Sequence, residues 1–312
     1  LASLAIVALN NNYVKPDIAI DGIIDIRNGR HPVVELMLEN ELFVPNNAYL
    51  DNTDNRMIIL TGPNMSGKST YMRQIALIVL MAHMGSFAPA DYAKISVVDQ
   101  IFTRVGASDD LSAGQSTFMV EMSEVSDILK NATQNSLIIL DEIGRGTSTF
   151  DGMSIARAVV EHISDPAKGL GCKTLFATHY HELTAMEGLL DGVKNYSIAV
   201  KKRGDDITFL RRIVRGGADE SFGIEVAKLA GVPDSVVRRA KVILKELEQN
   251  KIDIEFKAED AVLEEEEDIQ YNFAANGKNE ILEILKATDV NTLTPIEAMQ
   301  TLYDLKKKAE EL

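Results

Sequence analysis

The sequence is poor in the features that would place a protein outside the cytoplasm. Its single cysteine, Cys172, excludes an internal disulfide and fits a reducing compartment. No apolar run reaches the length of about 18 residues that is typical of a transmembrane helix. Together these absences predict a cytoplasmic protein that does not enter a membrane.

The chain also lacks an excess of basic residues. Its 47 acidic and 32 basic residues give a formal net charge of -15, whereas a free-standing nucleic-acid binder usually has a basic surface. Part of the acidity is local, in the run EDAVLEEEED at residues 259–268, which is typical of a solvated linker. If the protein acts on DNA, we therefore expect most of the DNA contacts to lie elsewhere.

The pattern along the chain separates five segments. Residues 1–22 open with LASLAIVALN, which has no basic leader, cleavage site or initiating Met, so we interpret them as the end of a helix of a larger protein, followed by a connector. Residues 23–215 alternate short apolar runs with longer helical patterns, as expected of an α/β domain with a largely parallel sheet. A helical pair at 216–250, an acidic linker at 251–278 and short amphipathic helices at 279–312 follow.

Several boundaries can be predicted within these segments. The clearest strands are 57–61, 136–140 and 173–178, and a later hairpin joins 195–200 to 207–214. In the helical pair, Gly231 suits a left-handed C-cap and the second helix begins near Pro233. The last amphipathic helix starts with a capping box at Thr294 and Glu297.

The strongest chemical signal is the sequence GPNMSGKS at residues 62–69, a complete G-x-x-x-x-G-K-[ST] loop between a predicted strand and a predicted helix. Glycines let backbone N–H groups turn towards phosphate oxygens, and the helix N-terminus adds positive potential. Lys68 would reach the β- and γ-phosphates, and the hydroxyl of Ser69 would bind Mg²⁺. The predicted nucleotide-binding residues here are Gly62, Pro63, Asn64, Met65, Ser66, Gly67, Lys68, Ser69 and Thr70.

Two further strands are predicted to end in chemically useful side chains. The run SLIIL leads into Asp141 and Glu142, which suit a Walker B pair: Asp141 for the Mg²⁺ shell and Glu142 to polarise the attacking water. His179 follows the strand at 173–178, at the edge of an open α/β sheet where ligands collect. His179 and His181 also allow a metal pair, but the sequence offers no further Cys/His cluster to complete a zinc site.

Two polar stretches remain open to two interpretations. Residues 109–118, DDLSAGQSTF, lead into a predicted helix, and residues 144–149, GRGTST, follow the Walker B acids directly. Their hydroxyls could act only as helix caps and loop contacts. Alternatively, both stretches touch a nucleotide across a dimer interface.

At this point the sequence resembles the MutS family of DNA mismatch-repair proteins. The segments TGPNMSGKSTYMRQ, STFMVEM, LDEIGRGTSTFDG and FATHYHEL occur in the order and spacing typical of that family, flanked by GRHPVVE, ELFVPNN and ESFGIEVAKLAGVP. The resemblance covers nearly the whole chain from about residue 23. It implies an ABC-like P-loop ATPase in which two protomers enclose two ATP molecules, each with Mg²⁺, so that each site is completed by the neighbour.

The resemblance also implies roles for individual residues. Glu142 would be the catalytic base, His179 the switch histidine, and Phe43 the residue that stacks on adenine. Ser116 would act in trans on the partner's ATP, and Arg145 would communicate between the two sites. The segment LSAGQ resembles the signature of ABC transporter ATPases, so Ser112 stays an alternative to Ser116.

Partners follow from the resemblance in the same way. The pair at 216–250 resembles a helix-turn-helix that serves homodimerisation, and TPIEAMQTLYDLK resembles C-terminal oligomerisation helices that can form tetramers. The family's Phe-x-Glu mismatch wedge is absent, so mismatched DNA would be bound through N-terminal regions that this chain lacks. A MutL-type protein is an expected partner, and QYNF at 270–273 is a weak match to a sliding-clamp peptide.

Two other classes of function compete with a mismatch-repair ATPase. One is another ABC-like ATPase, either a transporter subunit or the MutS relative that carries a nuclease tail. The other is a pure oligomerisation module with a degenerate nucleotide site. The intact set of Lys68, Ser69, Asp141, Glu142 and His179 argues against the degenerate site. The GPNMSGKSTYMRQ loop and the TPIEAMQ tail favour mismatch repair over the transporter and the nuclease-bearing relative.

Overall fold

A computed structural model describes residues 2–39, 41–63, 66–105, 116–203, 206–217 and 222–250. The helices in these ranges are α1 (Ala2–Asn10), α2 (Val34–Met37), α3 (Lys68–His83), α4 (Thr117–Asn131), α5 (Thr149–Ser164), α6 (Met186–Leu189), α7 (Gly223–Leu229) and α8 (Asp234–Asn250), with a 3₁₀ turn at His181–Ala185. The strands are β1 (Asp17–Ala19), β2 (Ile24–Gly29), β3 (Asn46–Leu50), β4 (Met57–Thr61), β5 (Tyr92–Ser96), β6 (Ile101–Arg104), β7 (Leu137–Asp141), β8 (Lys173–Ala177), β9 (Val193–Arg203) and β10 (Asp206–Arg215). The predictions for Asn64, Met65, Ser112 and segments 251–278 and 279–312 lie outside the described residues.

The larger sheet has six strands in the order β10-β9-β4-β8-β7-β6. Strands β6, β7, β8, β4 and β9 are parallel, and β10 runs antiparallel to β9. Every residue of β4, β7 and β8 is buried, because helices cover both faces of a parallel sheet. The predicted α/β class with a largely parallel sheet is therefore confirmed.

Alternate residues of the central strands feed two separate cores. Ile58 and Leu60 of β4 pack on the side of α3, together with Ile75 and Ile78. Met57 and Ile59 face the opposite side, where α4 and α5 supply residues such as Val160. This alternation follows from the two-residue period of a strand, and it fixes the register of β4 between the two helical layers.

A second sheet, with the strand order β1-β5-β2-β3, covers the other face of α3. Its buried side chains, including Ile24, Ile26, Leu50 and Ile95, belong to the same core as α3. This packing places the segment that carries Phe43, just before β3, close to the start of α3.

The strand order determines where the site forms. Strand β8 lies between β4 and β7, so the carboxyl ends of these three parallel strands meet at one edge. The loop at 62–69, Glu142 and His179 follow β4, β7 and β8 respectively. The topology therefore brings together three segments that are far apart in the sequence.

The helical pair has the predicted cap. Gly231 has φ +87°, its N–H donates to the carbonyl of Lys228, and the N–H of Val232 donates to the carbonyl of Ala227, which is a Schellman motif. Helix α8 then begins one residue after Pro233. None of the helices in the described ranges combines the length and the apolar character that crossing a bilayer requires.

Candidate functional site

The loop between β4 and α3 is shaped by two glycines. Gly62 and Gly67 have φ +137° and +109°, a region that residues with a side chain rarely adopt. Gly67 is the N-cap of α3, and a Cβ at this position would meet no atom of the described residues within 4 Å. The first N–H groups of α3 lack partners within the helix, as at any helix start, so this open N-terminus suits an anion.

Lys68 lies at the centre of the site. Its side chain is only 4% exposed, and its Nζ donates to the carbonyls of Gly62 at 2.5 Å and Pro63 at 3.1 Å. It also lies 3.9 Å from Glu142 Oε1. Burial lowers the pKa of Lys68, and the nearby carboxylates of Glu142 and Asp141 partly oppose that shift. The ammonium of Lys68 is therefore buried between the loop carbonyls and Glu142.

Asp141 and Ser69 form a pair suited to a hard cation. Asp141 ends β7 and is 7% exposed. Burial raises the pKa of its carboxyl, and a hydrogen bond from Ser69 acts in the opposite direction. Its Oδ1 is buried and has no hydrogen-bond partner among the described residues. An unsatisfied carboxylate oxygen beside a hydroxyl is a donor set that fits Mg²⁺.

Glu142 has an unusual backbone conformation. It has φ +58°, and its N–H donates to the carbonyl of Ala177 in β8 at 2.9 Å. Its Oε2 lies 2.6 Å from Arg145 Nη1, while Oε1 faces Lys68. The predicted base and the predicted trans residue thus form an ion pair within one chain. Non-glycine residues with positive φ are concentrated at functional sites.

His179 lies two residues after the end of β8, at the predicted edge of the sheet. Its surface is more than a third exposed, yet enough protein surrounds the ring that desolvation lowers its pKa, with Glu142 acting in the opposite direction. The ring lies 4.1 Å from that of Tyr180, centroid to centroid. A lowered pKa keeps the imidazole neutral near pH 7. Within the described ranges, no group of three or more His, Cys, Asp or Glu residues is arranged to hold a metal.

Phe43 contributes to a pocket of about 200 Å³ beside the loop. Its lining comprises Val34, Leu38, Phe43, Val44, Asn46, Gly67, Thr70, Tyr71, Gln74 and Arg211. The structure thus brings the predicted adenine-stacking residue together with Gly67 and Thr70 of the loop and first helical turn.

Several residues of this pocket were not predicted from the sequence. Gln74 is fully buried, and neither atom of its amide has a hydrogen-bond partner among the described residues. Its position on the apolar face of α3, three residues after Tyr71, is a signal that could have drawn attention to it. Arg211 has φ +54° inside a bulge of β10 and pairs with Glu41 at 2.8 Å. Nothing local in the sequence indicates that bulge.

The polar stretches act at least as helix caps. Ser116 is the N-cap of α4, and its hydroxyl accepts from the N–H of Met119 at 3.2 Å. Ser148 caps α5 in the same way through the N–H of Asp151. The capping interpretation is confirmed at these two serines, and the trans role of Ser116 stays a prediction.

Comparisons with known proteins agree with these motifs. A family model described as MutS domain V matches residues 58–248, and one described as the DNA mismatch repair protein MutS C-terminal region matches residues 275–308. The DNA mismatch repair protein MutS of Acetivibrio thermocellus is 56% identical over 317 residues, which cover 99% of this chain and 36% of that protein. Its counterpart in Ruminiclostridium cellulolyticum is 58% identical over 313 residues (99% and 36%), and that of Lachnoclostridium phytofermentans is 66% identical over 251 residues (80% and 27%). The chain thus spans about a third of the length of these curated relatives. It belongs to the MutS family of DNA mismatch-repair proteins and corresponds to their C-terminal part.

Proposed function

We propose that this chain binds MgATP and hydrolyses it, as the motor part of a MutS protein whose nucleotide state controls how the protein holds DNA. The observation that carries the proposal is the convergence of Lys68, Asp141 and Glu142 at one sheet edge, beside the pocket that contains Phe43. A buried cation and a buried carboxylate oxygen that has no hydrogen-bond partner among the described residues both fit a magnesium–triphosphate ligand.

Each part of the ligand has a matching group. The N–H groups at the start of α3 and the ammonium of Lys68 would bind the β- and γ-phosphates. The aromatic ring of Phe43 would stack on the base. Ser69 and Asp141 would hold Mg²⁺, which neutralises charge on the phosphates when it is bound.

The hydrolytic step is assigned to Glu142 and His179. The oxygen of a water molecule attacks the γ-phosphorus, its proton passes to Glu142, and the bond to the ADP oxygen breaks. This requires the carboxylate of Glu142 to be released from Arg145, which now lies 2.6 Å away. A neutral His179 can donate a hydrogen bond to the γ-phosphate or position the water.

A composite site would add groups from a second copy. Ser116 would complete the partner's site, and Arg145 would connect the two sites.

The segments of the chain would have separate roles. Segment 216–250 would dimerise as a helix-turn-helix. Segment 279–312, joined through the linker at 251–278, would serve further oligomerisation. Domain 23–215 would be the ATPase, and 1–22 the end of the lever helix through which mismatched DNA, bound by other parts of the protein, is sensed. A MutL-type protein and, more weakly, a sliding clamp are the proposed cytoplasmic partners.

A Glu142→Gln variant tests the chemistry. It should bind ATP and collect in ATP-bound dimers without turning the nucleotide over, because the amide cannot take the proton from water. Glu161→Gln is the matched control, since that carboxylate pairs with Arg157 on the surface of α5. Hydrolysis by Glu142→Gln at the rate of the unaltered chain would refute the assigned base.

A further inference from the structure

The backbone of Gly144 is held from two sides by side chains of other elements. Its N–H donates to Glu121 Oε1 at 2.5 Å, and its carbonyl accepts from the hydroxyl of Tyr180 at 3.0 Å. Glu121 is 5% exposed and Tyr180 is 4% exposed. Hydrogen bonds in such a buried setting hold a backbone firmly, because neither partner can turn to water instead.

Gly144 follows the proposed base by two residues, and the intervening backbone has little freedom. Glu142 and Gly144 both have positive φ, and the N–H of Glu142 is fixed to the carbonyl of Ala177. A Cβ on Gly144 would lie 2.4 Å from the carbonyl oxygen of Gly152, so α5 also packs against this turn. The direction of the Glu142 carboxylate therefore depends on where Gly144 is held.

Glu121 and Tyr180, the two side chains bonded to Gly144, lie close in the sequence to other proposed site residues. Glu121 lies in α4, whose N-cap is Ser116. Its Oε2 also lies 3.6 Å from Arg104 Nη2, and both side chains are 6% exposed. Tyr180 directly follows His179 and contacts its ring. A shift of α4 would thus move a buried carboxylate that is bonded to the turn after Glu142.

We infer that Glu121 and Tyr180 are positioning residues that hold Gly144 so that Glu142 faces the attacking water. Through Glu121, a displacement of α4 at Ser116 is passed to Glu142 of the same chain. The inference rests on the proposed ATPase function.

Tyr180→Phe is the cleanest test, because it removes only the hydroxyl and keeps the ring against His179. The matched control is Tyr13→Phe, which removes a hydroxyl that donates to Glu35 at 3.2 Å, away from this turn. We expect kcat to fall about tenfold in Tyr180→Phe while the Kd for ATP stays within about twofold of the unaltered chain. Tyr13→Phe should change neither value.

Glu121→Met adds a test of coupling, because it removes the acceptor of the Gly144 N–H, whereas Gln would keep an amide oxygen there. Glu124→Met is the control, because Glu124 pairs with the same Arg104 from an exposed position. Since both positioning residues act through Gly144, the double variant with Tyr180→Phe should lose less than the product of the two single effects. If Glu121→Met does not fold, the pair Tyr180→Phe and Tyr13→Phe decides the question.

The outcomes separate the two proposals. Absence of hydrolysis by the unaltered chain would contradict the proposed ATPase function itself. Hydrolysis by the unaltered chain, with Tyr180→Phe as active as Tyr13→Phe, would overturn the positioning role alone. A parallel loss of ATP binding and kcat in Tyr180→Phe would also overturn it, because positioning of the base changes turnover and not affinity.

Discussion

Lys68→Met should abolish most of the triphosphate affinity without harming the fold. The Nζ of Lys68 donates to two loop carbonyls and is buried at the sheet edge, in reach of the place where we put the β- and γ-phosphates. A hydrogen bond to a charged group contributes about 1.5–3 kcal/mol. One bond from the ammonium to each of the two phosphates would therefore contribute about 3 kcal/mol or more to ATP binding. This predicts ATP binding roughly 100-fold weaker, with a smaller loss for ADP.

The assay is calorimetric titration of each variant with ATP and with ADP. Lys173→Met is the matched control, because Lys173 is also a buried lysine with a pKa lowered by burial, but it lies at the opposite end of β8 and donates to Asn52. An unchanged ATP affinity in Lys68→Met would refute the assignment. An equal loss in Lys173→Met would show that a buried charge, and not its position in the loop, is responsible.

Lys68→Met should also change the free energy of unfolding and its dependence on pH. Burial lowers the pKa of Lys68 below its ordinary 10.5, so the unfolded chain binds this proton more tightly than the folded one. The charged lysine therefore opposes folding at neutral pH, and this cost disappears as pH rises towards 10.5. Lys68→Met should be more stable than the unaltered chain in urea at pH 7, by a margin that shrinks at higher pH. A margin that is independent of pH would contradict this reasoning.

Three further predictions concern the pocket, the turn and the histidine. Phe43→Leu should weaken ATP and ADP binding equally, by about tenfold from lost stacking; unequal losses in titration would contradict the base-stacking role. Gly144→Ala should lower the free energy of unfolding by about 2–4 kcal/mol in urea, since its Cβ would meet the carbonyl of Gly152, whereas Gly188→Ala should be nearly neutral; similar values for the two would contradict the packing argument. Because the pKa of His179 in the nucleotide-free chain is lowered from its ordinary 6.5, the fall in kcat/KM caused by its protonation should be centred below pH 6.5, and a fall centred above pH 6.5 would contradict a neutral imidazole.

The central sheet was predictable because its signals are local. Strands β4, β7 and β8 are buried on both faces, so they read as continuous apolar runs, and the predicted limits differ from the observed ones by no more than one residue. The sheet formed by β1, β5, β2 and β3 was not assigned. Strand β2, IDIRNG, has both buried and exposed residues, and its pairing with β5 joins residues that lie far apart in the sequence. Such pairing leaves no local signal.

The candidate site, like the fold, could be predicted only where its signals are local in the sequence. The positions of Lys68, Asp141, Glu142 and His179 followed from short motifs at strand ends, and the structure brings them to one edge. Arg211 enters the pocket through a bulge in β10, which only tertiary structure reveals. The bonds from Glu121 and Tyr180 to Gly144 likewise join three separate elements, so neither could be predicted from spacing.

The most direct test of a composite ATP site is the rate of ATP hydrolysis measured against protein concentration, with the mass followed in parallel by light scattering. If the proposed composite site is right, activity per chain rises as dimers form, because each site would need Ser116 of a second copy. Turnover that is independent of concentration in a confirmed monomer would contradict the composite site.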